Sequence, residues 1–600
     1  MNLNYQKRKN TELFKGLEKI NITNVQNYSP IYKRFFTLNE SNNANINLNN
    51  QLYITNINQP GKIHQTYRCK IKNIDNNSVK EKTIFFKLAP LIDPFKYLMG
   101  KYELNDTIFT LPQFNSTTDC DEKILDVNNA AYVDGFFTFL MSRLGHSHKF
   151  LHSVDYYGSF LGIKNDFVIN VAEDIDYLNK SDFFNKNKDV LFKVDDYTHL
   201  IHQEIKKKPI IINNKSITKS NLSFKSLNDD IFDDIFDEPK KVSNDTFKNT
   251  NWMDEGLDEG LVEIHNEVVE NERHTQMSLK STSTCSSRTS YTNDDSSDET
   301  DDDSHDECDN KDMSGNVCRH DNDDDENSGD DEDDDEEDDD DEEDDEEVIN
   351  AILPKIPVQI ISMECCENTF DDLIINEELT KEEWFSAFMQ IIMTLITYQK
   401  AFNFTHNDLH TNNIMYNKTT QKYIFYCYNK QHYKVPTFGR IFKIIDFGRS
   451  IYKYNKQTFC SDSFKAGGDA STQYNTEPYL NKDKPRLEPN YSFDLCRLAC
   501  SIFDFLVDDF EEINDLNNCD DPVKKLISDW CKDDKGVNVL YKANGVERYP
   551  DFKLYKMIAR CVHNHTPIAQ LERPEFKAYS NFVGEINGQI INIDNIPSYI

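Results

Sequence analysis

Two stretches decide how this chain folds: Thr405-His406-Asn407-Asp408-Leu409-His410-Thr411-Asn412-Asn413-Ile414 and, farther on, Phe442-Lys443-Ile444-Ile445-Asp446-Phe447-Gly448. The first sets a carboxylate, Asp408, and an amide, Asn413, on one polar segment. The second closes an apolar strand pattern with an acid, an aromatic and a glycine. Hard oxygen donors of this kind suit Mg2+, which takes one or two protein ligands and completes its shell with phosphate and water. Phosphoryl transfer asks for such a set: a carboxylate to orient and deprotonate the attacking hydroxyl, oxygens for magnesium, and a cation on the phosphates. Asp408 suits the first role, Asn413 and Asp446 the second. A lone loop Asp is ordinarily a turn former or cap, and a lone D-F-G is a weak signal. Both together, in this order, are far more specific.

Working outward, Thr380-Lys381-Glu382-Glu383 is a capping box that opens a helix just before the first stretch. Its apolar residues Phe385, Phe388, Met389, Ile392, Leu395 and Ile396 form one face of a 3.6-residue repeat. A second helix is predicted over 493–506, apolar around most of its circumference, as a buried central helix is. Strands are predicted at 51–57, 66–74, 83–88 and 357–364, and residues 423–435 read as an extra hairpin. Over about 129–144, Val133, Phe136, Phe137, Leu140, Met141 and Leu144 recur at helical spacing.

The net charge of −39 is localised. Residues 294–347 hold 34 acidic residues against Lys311 and Arg319, so this one tract accounts for −32 of it. Like-charge density of that order opposes collapse, so an acidic disordered insertion is predicted over 201–350. It suits a basic protein partner, and Ser296, Ser297 and Thr300 are acceptors for an acidophilic kinase. Elsewhere no basic face suggests nucleic acid. His305, Cys308, Cys318 and His320 match no common zinc spacing. The polar start MNLNYQKRKN and the lack of an eighteen-residue apolar run argue against a signal peptide or membrane span. Fourteen cysteines without paired spacing are expected of a reducing, intracellular compartment.

H-x-D-L-x-x-x-N followed by apolar-apolar-D-F-G resembles the catalytic and magnesium loops of eukaryotic-type serine/threonine protein kinases. The Asn-rich composition and Phe438-Gly439-Arg440-Ile441-Phe442 resemble the divergent giant-virus, mimivirus-like branch of that family. The resemblance implies an α+β, two-lobed protein-kinase-like fold with a small β-rich N-lobe and a mainly helical C-lobe. Residues 1–50 would then be a loosely ordered arm, 51–200 the N-lobe, 201–350 the insertion, and 351–600 the end of the N-lobe, the hinge and the C-lobe. It implies ATP and Mg2+ as cofactors and a protein substrate, in a host cytoplasm or a virion. Gln359-Ile360-Ile361-Ser362-Met363-Glu364 resembles the hinge strand, so Met363, Glu364 and Cys365 would border the adenine. Lys87 is the candidate for the phosphate-contacting lysine, with Lys96 in reserve, and Asp134 for its acidic partner. Asp494 would hold the catalytic loop from beneath, and His406 would support it.

The sequence also departs from the family. No G-x-G-x-x-G lies between the first strands, where Gly61 is the single glycine. Asn407 stands where kinases often carry an arginine that pairs with an activation-loop phosphate, which implies activity independent of such phosphorylation. His410 replaces a lysine and resembles haspin-like and small-molecule kinases, so a small-molecule acceptor stays open. The missing glycine loop keeps a pseudokinase scaffold open. Glu477 and Glu488 are candidates for the structural acid of the activation segment, with Arg573 as partner.

Overall fold

Strands separated by hundreds of residues meet in one antiparallel sheet. Its order is Ile22–Gln26, Tyr156–Asn170, Asn350–Glu364, Val79–Pro90, Thr66–Asn73, Leu52–Pro60, with Lys193–Val194 pairing beside Asn350–Glu364. The computed structural model describes residues 1–48, 50–199, 348–507, 519–542, 545–550, 552–586 and 588–600. Those from Met1 to Tyr197 and from Val348 onward belong to one unit. The register runs from Tyr156↔Met363 to Asn170↔Asn350. The chain therefore leaves this sheet before residue 200 and re-enters it as the neighbouring strand. The expectations placed on 201–347, including the acidic insertion, its Ser and Thr acceptors and the His/Cys group at 305–320, lie outside the described residues.

The helix Ala130–His148, capped by the Asn129 side chain, packs on this sheet. Gly135 permits the close approach, because a Cβ there would lie 1.9 Å from Gln359 Nε2. The helix is buried nearly all round, since its other faces meet the helical region and the first fifty residues. Phe137 stacks on Phe404 at 4.4 Å, and Phe136 on Phe35 at 4.5 Å.

Residues 1–50 are not a loosely ordered arm. They contain the helix Thr11–Glu18, the paired strands Tyr5–Lys7 and Ile46–Leu48, and Ile22–Gln26 at the edge of the main sheet. Leu13, Leu17 and Ile22 are buried core. The asparagines that suggest disorder act instead as internal hydrogen-bonding groups. Asn10 Nδ2 donates to Asn27 Oδ1 at 2.6 Å and Asn47 Oδ1 at 2.7 Å, and Asn27 Nδ2 donates to the Arg8 and Ala44 carbonyls.

The C-terminal region is mainly helical, giving a mixed α/β chain whose strand-rich part comes first. Lys381–Phe402 opens with the Thr380–Glu383 capping box, and both of its reciprocal hydrogen bonds are present. Phe493–Leu506 lies at the centre, with Pro522–Trp530 and Lys553–Cys561 against it. Tyr423–Tyr428 and Gln431–Pro436 form the expected hairpin, extended in parallel by Ile590–Asn592. Among the described residues no helix is long and apolar enough to cross a membrane.

Candidate functional site

The two motifs are joined by one small ladder. Ile414–Lys418 and Arg440–Ile444 pair antiparallel from Ile414↔Ile444 to Lys418↔Arg440, and the Ile445 N–H donates to the Asn413 carbonyl at 3.0 Å. Asn413 and Asp446 thus leave adjacent strand ends side by side. Asp446 adopts φ 62°, a left-handed conformation that Asp tolerates better than most residues and that turns the chain sharply out of the strand. Phe447 then inserts between Phe137 at 4.6 Å and His406 at 5.7 Å. This aromatic column links the Ala130–His148 helix to the 405–413 loop.

Lys87 reaches across from Val79–Pro90. Its Nζ lies 2.6 Å from Asp134 Oδ2 and 2.9 Å from Asp446 Oδ1. The Phe447 N–H donates to Asp134 Oδ1 at 3.1 Å, so one helix carboxylate holds both the lysine and the Asp446 loop. Burial alone would lower the Lys87 ammonium, but the two carboxylates outweigh it and hold its pKa above the ordinary lysine value. Burial raises the Asp134 carboxyl, only partly offset by Lys87. Two acids around one cation leave an excess of negative charge in a buried place, where a dication would be stabilised.

The 405–413 loop is suspended from Asp494. That buried carboxylate accepts the N–H groups of His406 and Asn407, each at 2.9 Å. His406 Nδ1 accepts the Asp408 N–H at 3.3 Å, while its Nε2 donates to the Ile445 carbonyl at 2.9 Å. Asn413 Nδ2 donates to the Asp408 carbonyl at 2.8 Å, so its Oδ1 is the atom with lone pairs for a metal. Asn407 uses its amide nitrogen on the Arg449 carbonyl at 3.1 Å, and its Oδ1 accepts the Tyr474 hydroxyl at 2.8 Å.

Asp408 is 5 % exposed. Burial would raise its carboxyl, but the Arg449 cation, with Arg497 and the Tyr555 hydroxyl, prevails and holds it below the usual carboxylate range. His410 is pushed down to about 4, chiefly by burial. Neutral at ordinary pH, it brings no positive charge to the loop.

At the end of Asn350–Glu364, Met363 is buried opposite Phe85 and Tyr156. The Glu364 carboxylate is fully engaged: Lys443 Nζ binds both oxygens at 2.9 and 2.8 Å, Asn417 Nδ2 donates at 2.6 Å, and the Asp155 N–H at 3.1 Å. Lys96 points elsewhere, to Asp469 at 2.7 Å. Arg573 pairs with Asp529, not with Glu477 or Glu488, and Glu488 is held by Thr476 and Arg486. The turn from Pro60 to Thr66 is stiffened without a glycine series. The Gly61 N–H donates to the Thr66 carbonyl at 2.7 Å, and the Phe86 N–H to the Gln65 carbonyl at 2.8 Å.

Sequence reasoning missed Arg449, Arg497, Tyr555 and Lys443. Of these, Lys443 and Arg497 left a signal, as cations inside an apolar strand end and an apolar helix. Among the described residues no three His, Cys, Asp or Glu side chains form a metal cluster. A magnesium site built from Asn413, Asp446 and phosphate would not require one. No protein-family model matches the chain, and no curated protein matches it.

Proposed function

We propose that the chain is a two-lobed, protein-kinase-like enzyme that transfers the γ-phosphate of MgATP to a Ser or Thr hydroxyl of a protein. One observation supports this above the others: Lys87 bridges Asp134 and Asp446 beside a loop that carries Asp408 and Asn413. The order of the main sheet and the helical second region agree with it. In this reading Asp408 orients the acceptor hydroxyl and takes its proton. Asn413 Oδ1 and the Asp446 carboxylate are the magnesium ligands, and bound Mg2+ would neutralise charge on the phosphate oxygens. Lys87 contacts the phosphates and Asp134 holds it in line, while Asp494 and His406 fix the loop that presents Asp408. With no glycine-rich turn, phosphate binding rests heavily on Lys87.

Lys87→Met should therefore weaken MgATP binding about tenfold or more, the equivalent of ~1.4 kcal/mol. Calorimetric titration of both proteins with MgATP checks this. Equal affinity would contradict the role of Lys87, and no binding by the wild type would favour a scaffold.

A further inference from the structure

The helix Lys553–Cys561 lies far from Asp408 in sequence but against it in space. Tyr555 donates its hydroxyl to Asp408 Oδ1 at 2.8 Å, and Arg497 Nε donates to the same Tyr555 oxygen at 2.9 Å. The ring stacks on Phe552 at 5.2 Å and lies 6.0 Å from Phe493, with the Arg497 and Arg449 guanidiniums 5.2 and 5.7 Å from its centroid. A general base must come within about 2.6–3.2 Å of the hydroxyl it deprotonates. At this oxygen of Asp408 that place is taken, and the occupant is itself a hydroxyl. A hydroxyl on a carboxylate is a charge-assisted bond, stronger than a neutral one, so a competitor must displace it.

The helix is held most firmly at its far end. Its last turns are anchored: Met557, Ile558 and Ala559 are buried, Asn490 Nδ2 donates to the Ala559 carbonyl, and Arg560 Nη2 to the Thr472 carbonyl at 3.0 Å. In its first turn Phe552 is buried, Lys553 is exposed, and Tyr555 is only partly buried.

We propose that Tyr555 is an intrachain stand-in for the acceptor, its hydroxyl seated on Asp408 until an incoming hydroxyl displaces it. This rests on the reading of Asp408 as the general base. The chain therefore restrains its own transfer to other proteins, and release of the Tyr555 hydroxyl from Asp408 sets the acceptor's access.

The test is steady-state transfer from labelled MgATP to an external protein acceptor by wild type and Tyr555→Phe, with Asp446→Asn as the blank. Phenylalanine keeps the ring stacking, and an unchanged thermal midpoint checks that the fold is intact. The proposal expects kcat/KM for the acceptor to rise about tenfold, as loss of ~1.4 kcal/mol of competing interaction would give, with the KM for MgATP unmoved. Transfer by wild type with an equal or lower rate in Tyr555→Phe would overturn it and make Tyr555 a positioning group, leaving the kinase reading intact. Phosphate found on Tyr555 by mass spectrometry would also overturn it, because Tyr555 would then be an acceptor. No transfer by either protein would overturn both this proposal and the reading beneath it.

Discussion

His152 sits at the back of the site, fully buried. Its Nδ1 donates to the Phe442 carbonyl at 2.7 Å, which leaves Nε2 to accept the Tyr426 hydroxyl at 2.6 Å. Accepting at Nε2 requires the neutral ring, and burial pushes its pKa down to about 4. In the unfolded chain the ring takes up a proton near the ordinary value of about 6.5, while the folded ring does not. The stabilising effect of neutral His152 is thus complete above that value and lost progressively as pH falls toward 4, on the order of 3 kcal/mol in all. Buried His410 adds to the same window. The urea midpoint should fall between pH 7 and pH 5, and His152→Asn should flatten that fall. An equally steep fall in the variant would show that His152 does not titrate as described.

At the scale of elements, the segment after Asp446 is tied to the helix that carries Asp134. Asp462 Oδ1 accepts the Ala130 N–H at 2.9 Å at the helix N-terminus, where a negative charge is favourable, and Lys123 pairs with its other oxygen. Arg34 donates to the Thr458 carbonyl at 2.7 Å and to Asn128 Oδ1 at 3.1 Å. Asn407, in place of an arginine, meets Tyr474 through a neutral hydrogen bond. Under the proposed reading, these fixed contacts take the place of a phosphate on this segment. On the proposed function, phosphatase-treated protein should retain its transfer rate, whereas Asp462→Asn should lose stability by roughly 1–2 kcal/mol and transfer with it. Loss of activity on dephosphorylation, with Asp462→Asn unaffected, would contradict this. The capping box at Thr380 and the helices at 130 and 493 are legible in the sequence because each rests on local chemistry or a local repeat. Lys87, Asp134 and Asp446 could be named singly from their places on a strand, a helix and a strand end. Their meeting depends on the packing of three elements. Tyr555 carries no motif and lies 147 residues beyond Asp408, so its position follows only from the tertiary fold.

Across the whole molecule, the sheet draws strands from both sides of residues 200–347 and from the first fifty residues. Composition misleads for that first segment. It scores asparagine as polar, whereas Asn27, Asn42 and Asn47 are buried and donate to main-chain carbonyls, and Asn27 and Asn47 also accept from Asn10. A rule that counts apolar residues cannot see a core whose loops are tied by side-chain amides. The result is a strand-rich region and a helical region that bring one lysine, three acids and an amide together. The most direct measurement is phosphate transfer from labelled MgATP to a mixed panel of acidic and basic proteins, with wild type and Asp446→Asn side by side. The proposed function predicts label in the panel with wild type and its loss in the variant. Equal labelling by both would contradict the magnesium site, and no labelling by wild type would contradict the proposed activity.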